Sequence, residues 1–161
     1  MKIREYSKRK NRLHKIPNRY IPHHLSNNDK QLQLKMLKKS RRMYQNNKYF
    51  TRKKVASFKN KKSSHIQNAE RIYGVKTVVP NQELARKTGC SLNALNQIVK
   101  KGEGAYYSSG SRPNQTAHSW GLARLASSIT GGNAAIVDYH ILKDGCDHKK
   151  KAYILANKRM K

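Results

Sequence analysis

The strongest constraint on how this chain folds is the uneven placement of its charge. Residues 104 to 132, GAYYSSGSRPNQTAHSWGLARLASSITGG, contain no Lys, Asp or Glu, and only Arg112 and Arg124 are charged, in a chain of formal net charge +28. The same stretch holds the sole tryptophan, Trp120, and five of the nine glycines. Its second half places Leu122, Leu125, Ala126 and Ile129 at helical spacing, with Thr116 or Asn114 as the cap and Gly131 and Gly132 as the stop. Gly121, Ala123, Ala126, Ser127 and Ser128 leave that helix nearly smooth, which lets a neighbouring helix approach closely. The neutral stretch is therefore expected at the centre of the fold. The loop before it, GAYYSSGSRPNQT, is expected to fold back on itself through Ser, Asn and Gln hydrogen bonds.

Charge accumulates instead toward the N-terminus. Residues 1 to 62 carry 21 basic and 2 acidic side chains, and residues 63 to 161 carry 15 and 6, so the two parts stand at +19 and +9. In residues 1 to 25 the apolar side chains are isolated, Pro17 and Pro22 interrupt the backbone and no period persists, which predicts an extended basic arm. Residues 26 to 62 read as a basic amphipathic helix and a linker. Ser26 and Asp29 fit a capping box, and Leu32, Met36 and Met43, with Leu37 and Tyr44 beside them, mark the apolar stripe.

Residues 63 to 161 read as a compact helical domain, so the fold class is all-α, a small helical domain with an extended basic arm. Ser64 and Gln67 offer a capping box, Ile66, Ala69, Ile72 and Tyr73 a stripe, and Gly74 a stop. In PNQELARKTGCSLNALNQIVKKGEG, Leu84 and Ala85, Gly89, Ser91, then Leu95 and Ile98 reproduce a helix-turn-helix spacing, with Gly89 making the turn and Ser91 capping the second helix. NAAIVDYHIL reads as one buried short helix capped by Asn133 and ended near Gly145, with Asp138 paired to Arg112 or Arg124. The last stretch, KKKAYILANKRMK, fits helix or strand.

A pI near 10.5 calls for a polyanionic neighbour: nucleic acid, an anionic lipid surface or an acidic protein face. The candidate contacts are Lys8, Arg9, Lys10 and Arg12 in the arm, Lys35, Lys38, Lys39, Arg41 and Arg42 on the basic helix, and Arg52, Lys53 and Lys54 after it. If the second helix of the 81 to 101 pair enters a major groove, Asn93, Asn96, Gln97 and Lys100 are the side chains offered to base edges or phosphates. The same spacing also serves two helices that simply pack. Ser111 and Arg112, beside a glycine and a helix start, form a candidate anion loop.

Catalysis finds little support. Ser108, His118 and Asp138 hold the atoms of a hydrolase triad, yet no nucleophile-elbow motif frames the serine. Cys90, His140, Cys146 and His148 could supply four zinc ligands, but their spacings match no metal signature. No enzyme, metal or cofactor is expected. Two cysteines so far apart do not argue a disulfide framework and are expected as reduced, buried small hydrophobes. No run of about 18 apolar residues is present, and MKIREYSKRK lacks the apolar region of a signal peptide, so synthesis on the cytosolic side is expected.

The residues GEGAYYSSGSRPNQTAHSWGLARLASSITGG, the following AAIVDYHIL and GC, and upstream KMLKKSRRMYQNNKYFTRKKV and SSHIQNAERIYGV together carry a resemblance. From about Arg19 to Ala156 the chain resembles an uncharacterised domain family of large double-stranded DNA viruses of algae and protists, with relatives of the RPNQT-SWG-ARL region in tailed phages. The resemblance implies a virion component. It yields the expectation of a minor capsid protein on the inner face of the shell, part of a large assembly, made in the host cytoplasm and bridging viral capsid proteins. Its basic arm would lie against acidic capsid faces, the anionic inner membrane surface or packaged DNA. The alternative is a protein that packages DNA or reads it through the 81 to 101 pair.

Overall fold

The computed structural model describes residues 16–161. Among them no strand forms, and eight α-helices account for the architecture: α1 (Asn27–Gln45), α2 (Ser64–Tyr73), α3 (Gln82–Thr88), α4 (Leu92–Ser108), α5 (Ala117–Ile129), α6 (Asn133–Val137), α7 (Tyr139–Gly145) and α8 (Lys151–Met160). The all-α expectation is met, and the undecided last stretch is helix.

The neutral helix α5 sits where its sequence placed it. Thr116 accepts from the Ser119 amide, and the Ser119 hydroxyl accepts from the Thr116 amide, which closes a capping box at its N-terminus. Leu125, Ala126 and Ile129 are fully buried, against Leu95, Ile98 and Val99 of α4, Ala69 and Tyr73 of α2, and Ala152 and Ala156 of α8. The α4–α5 crossing is a contact between backbones. A Cβ built on Gly102 would lie 2.6 Å from the Cα of Gly121, and one built on Gly121 would lie 2.6 Å from the carbonyl oxygen of Val99. Two glycines in helix interiors cost helix propensity of about 1 kcal/mol each. Their return is an approach that no side chain permits.

At the far end of α5, Arg124 holds Asp138 in a bidentate pair, Nε to Oδ2 at 3.0 Å and Nη2 to Oδ1 at 2.7 Å, and Ser128 adds a third bond at 2.7 Å. Of the two arginines weighed for Asp138, Arg124 is the partner. This fully buried carboxylate stands at the break between α6 and α7. The expected single buried helix capped by Asn133 is therefore two: Gly132 precedes α6 without a side-chain cap, and Ile136 and Val137 are exposed. Likewise Ser63, not Ser64, stands before α2, and no side-chain cap forms there.

The α3–α4 pair has the turn expected of it. Asn81 caps α3, Gly89 adopts φ +77° in the left-handed region, and the Ser91 hydroxyl accepts from the Ala94 amide. Beyond Gly89 the structure departs from expectation, because Cys90 and Cys146 are joined in a disulfide. They face each other across an isolated antiparallel bridge, in which Ser91 N–H donates to Gly145 and Asp147 N–H donates to Gly89, both at 2.8 Å. A non-hydrogen-bonded antiparallel pair brings side chains closest. The separation of 56 residues that argued against pairing is closed by α7 returning to the start of α4.

The N-terminal segment is also more folded than expected. The arm read as residues 1 to 25 is packed from Pro17 onward, with a 3-10 turn at Asn18–Tyr20 and with Tyr20 and Leu25 buried. Leu25, Met36 and Val55, flanked by Ile21, Phe50 and Phe58, form a second, smaller core beside the main one. Thus α1 and the segment after it, read as helix and linker, wrap the main helices. The RPNQT loop makes the join. Asn114, at φ +63°, accepts from Val55 N–H at 2.7 Å and donates to Val55 O at 3.2 Å. Gln115 and Thr116 do bond locally to Ser119 and Ser111 to Arg112 O, but Asn114 reaches residues 55–58 and Ser111 also accepts from Arg52.

Gly121→Ala tests the backbone crossing. Helix propensity alone would stabilise the variant by about 1 kcal/mol, whereas separating α4 from α5 costs about 1–3 kcal/mol. Urea denaturation is expected to show net destabilisation.

Candidate nucleic-acid interface

Residues 16–161 carry 29 Lys and Arg against 7 Asp and Glu. The ion pairs of Lys62 with Glu70 at 2.8 Å and of Arg124 with Asp138 engage a small part of that excess. Even with every acid paired, most cations would face solvent.

Helix α1 orders the densest group of them. Ser26 caps it by accepting from the Asp29 amide at 3.2 Å, and the Asp29 carboxylate accepts from the Ser57 hydroxyl and from Ser57 N–H, which lowers its pKa below the ordinary value. The buried face is Gln33, Met36, Leu37 and Ser40. Directly opposite, at i, i+3, i+4 and i+7, stand Lys35, Lys38, Lys39 and Arg42, all exposed. These four span about 10 Å of helix at 1.5 Å per residue. Lys53 and Lys54 are exposed on the following segment, and Lys39 Nζ lies 4.4 Å from the centre of the Phe50 ring. The stripe expected from Leu32 and Tyr44 is turned, since both are exposed. Two polar residues take the buried face because they have partners there: Gln33 Nε2 donates to Tyr20 O at 3.2 Å, and Ser40 donates to Tyr107 O at 3.3 Å.

Of the eight expected contact residues that are described, the two arginines Arg52 and Arg41 hydrogen-bond within the fold. Arg52 is 6% exposed. Its Nη1 donates to Ser40 Oγ at 2.8 Å and Tyr106 O at 2.9 Å, its Nη2 to Ser111 Oγ at 2.8 Å, and its guanidinium lies 3.8 Å from the centre of the Tyr106 ring. Burial lowers its pKa, opposed by the surrounding tyrosines. The tertiary fold turns this cation into an internal clamp. Arg41 Nε donates to Ser109 O at 2.8 Å and ties α1 to the end of α4. Lys8, Arg9, Lys10 and Arg12 lie outside the described residues.

The candidate anion loop does not form as expected. Ser111 is 1% exposed, and its hydroxyl accepts from Arg52 and donates to Arg112 O, so it is not available to an anion. Arg112 itself is exposed.

On α4, Asn93, Asn96, Gln97 and Lys100 are all exposed. Asn93, Gln97 and Lys100 line an open groove of about 600 Å3, together with Lys101, His140 and Asp144. Its other wall is α7: a Cβ on Gly145 would come within 2.5 Å of Ala94 Cβ. A major groove about 12 Å wide admits one helix, and α7 occupies a flank of this one.

The other constellations weighed from sequence do not assemble. Asp138 is buried under Arg124 and Ser128, while His118 is exposed 3.5 Å from Glu103. Cys90 and Cys146 are bonded to each other, and His148 stacks on Tyr153 at 3.9 Å. Among the described residues no group of three or more His, Cys, Asp or Glu could hold a metal ion.

One feature escaped the sequence reading. Tyr49 and Tyr107, distant in the chain, converge with Tyr44 on an open notch of about 370 Å3, also lined by Lys100, Glu103 and Gly104. The available signal was the tyrosine of NNKYF, beside a lysine, and the tyrosine pair of AYY, which follows Lys100 and Lys101 within a few residues.

Residues 17–144 match the sequence model of a family described as "Family of unknown function (DUF5824)". Comparison with curated proteins and with solved structures gives no match.

Arg52→Met removes three charge-assisted hydrogen bonds and strands the buried oxygens that accepted them. The expected loss is about 3 kcal/mol of stability by urea denaturation, with Arg52→Lys recovering part of it.

Proposed function

The chain belongs to the family of unknown function DUF5824, and from its own residues we propose that it is a non-catalytic protein that binds nucleic acid through the phosphate backbone. The observation that carries this reading is the outward face of α1, where Lys35, Lys38, Lys39 and Arg42 stand exposed opposite the buried face, with Lys53 and Lys54 beyond. Cations spaced along a helix exchange counterions for phosphates without reading sequence. The α3–α4 pair is scaffold in this reading: with α7 along one flank, Asn93, Asn96, Gln97 and Lys100 are better placed to meet phosphates than base edges.

A second reading, the minor capsid protein that bridges shell proteins in a virion, rests on the sequence resemblance. It is favoured by the exposed apolar side chains Ile136 and Val137 of α6 and Ile154 and Met160 of α8, which suit contact with protein. The two roles are compatible in one molecule that lies between a shell and its genome.

Titration of duplex DNA at increasing salt tests the first reading. Binding is expected to fall with a slope of about −0.9 per phosphate neutralised, and replacing Lys35, Lys38, Lys39 and Arg42 by Ala is expected to make the slope shallower by roughly 2 to 4 units. An unchanged slope in a folded variant, or no duplex binding at low salt, refutes it. For the second reading, fractionation of purified particles is expected to place the chain in the capsid layer; a protein confined to infected cytoplasm would rule that role out.

A further inference from the structure

Three tyrosines gather at one place on a surface rich in cations and amides. Tyr49 is 68% exposed and Tyr44 36%, although burial of an aromatic ring is strongly favourable. Their arrangement is ordered: Tyr44 and Tyr107 are parallel to within 8° at 6.5 Å between ring centres, and Tyr49 sits 5.0 Å from Tyr107 and 6.1 Å from Tyr44. Tyr107 is fixed from beneath by an edge contact with Tyr106, whose ring carries the buried Arg52. The floor of the platform is thus tied to the core.

The notch these rings line lies between the C-terminal end of α1 and the middle of α4. Gly104 keeps one wall low, since a Cβ there would meet only the Tyr44 hydroxyl at 4.0 Å. Lys100 is in the lining, and Lys48, exposed, precedes Tyr49 in the chain. The acid in the lining, Glu103, faces His118 Nδ1 at 3.5 Å, and a carboxylate accepts the amino N–H of a base edge. Exposed aromatic faces beside the cations Lys100 and Lys48 match what a single strand presents: flat bases on one side and phosphates on the other. A duplex keeps its base faces stacked inside and cannot use the rings.

We propose that this tyrosine notch binds an unpaired nucleobase of single-stranded nucleic acid, the base stacking on Tyr44 and Tyr49 while the neighbouring phosphates meet Lys100 and Lys48. The inference rests on the phosphate-binding reading above and deepens it, because it adds a preference for unpaired over paired strands at one defined place.

The test compares three labelled probes of equal length by fluorescence anisotropy with the full chain at one salt concentration: single-stranded oligodeoxyadenylate, an abasic strand with the same phosphates, and a duplex. An oligoadenylate RNA arm distinguishes the two sources of unpaired base. The base-bearing strand, as DNA or RNA, is expected to bind at least about fivefold tighter than the abasic strand, the lower end of what one stacked base contributes. Tyr44→Leu with Tyr49→Leu is expected to erase that difference and leave duplex affinity unchanged, and the paired Tyr→Phe variant to preserve it. Both positions are exposed, and circular dichroism checks that the variants fold. A base-bearing strand that binds no better than the abasic one, or a preference that survives the double Leu variant, overturns the notch while duplex binding leaves the phosphate reading standing. Failure of every probe to bind overturns both.

Discussion

The contact on which the rest of the structure depends is the backbone crossing of α4 and α5 at Gly102 and Gly121. With no side chain between them, the two helices touch main chain to main chain, and everything around them is arranged at the spacing this sets. The buried faces of α2 and α8 close on α5, and the Arg124–Asp138 pair anchors the turn from α6 into α7. The convergence of α7 with the start of α4, which brings Cys146 to Cys90, follows from the same arrangement. A core that sets alanines and close-packed glycines among Leu, Ile and Val suits a chain with 36% hydrophobic content, because close approach of helices makes full use of the apolar area available.

Around this neutral kernel the chain uses its cations in two different ways. Arg52 and Arg41 hold α1 and the segment after it against α4, donating to backbone carbonyls and, from Arg52, to hydroxyls. A buried guanidinium without an acid partner is tolerable because each oxygen it meets is a hydrogen-bond acceptor and the Tyr106 ring offers its negative face. Lys35, Lys38, Lys39 and Arg42, on the same helix as Arg41, turn outward. The first set positions the second, so the fold spends some of its charge to orient the remainder.

Much of the local structure was legible in the sequence. Caps at Ser26, Ser91 and Thr116, the left-handed Gly89, and the smooth face of α5 all depend on residues within a few positions of one another, and each formed. The errors share one cause. Arg52 and Lys53 look alike in a basic run, Ser111 looks free in a serine-rich loop, and Cys90 looks unrelated to Cys146, because what distinguishes them is a partner more than 50 residues away. The apolar stripe of α1 was misplaced because Gln33 and Ser40 are buried by hydrogen bonds to Tyr20 and Tyr107, 13 and 67 residues away, which hydrophobic periodicity does not register. The tyrosine notch was hidden because its three rings come from two helices and the segment between them.

By itself the amino-acid sequence determined that the chain is helical through most of residues 26 to 145, that the uncharged stretch forms the centre, and that the chain is strongly cationic, since these follow from local hydrogen bonding, apolar period and the charge carried by each residue. Only the tertiary structure decided which cations are clamps and which are free to meet a ligand, which serine holds an arginine, which cysteines pair and where the exposed tyrosines gather. Those outcomes depend on the distance between groups remote in the chain, and that distance is set when glycine backbones meet at the α4–α5 crossing.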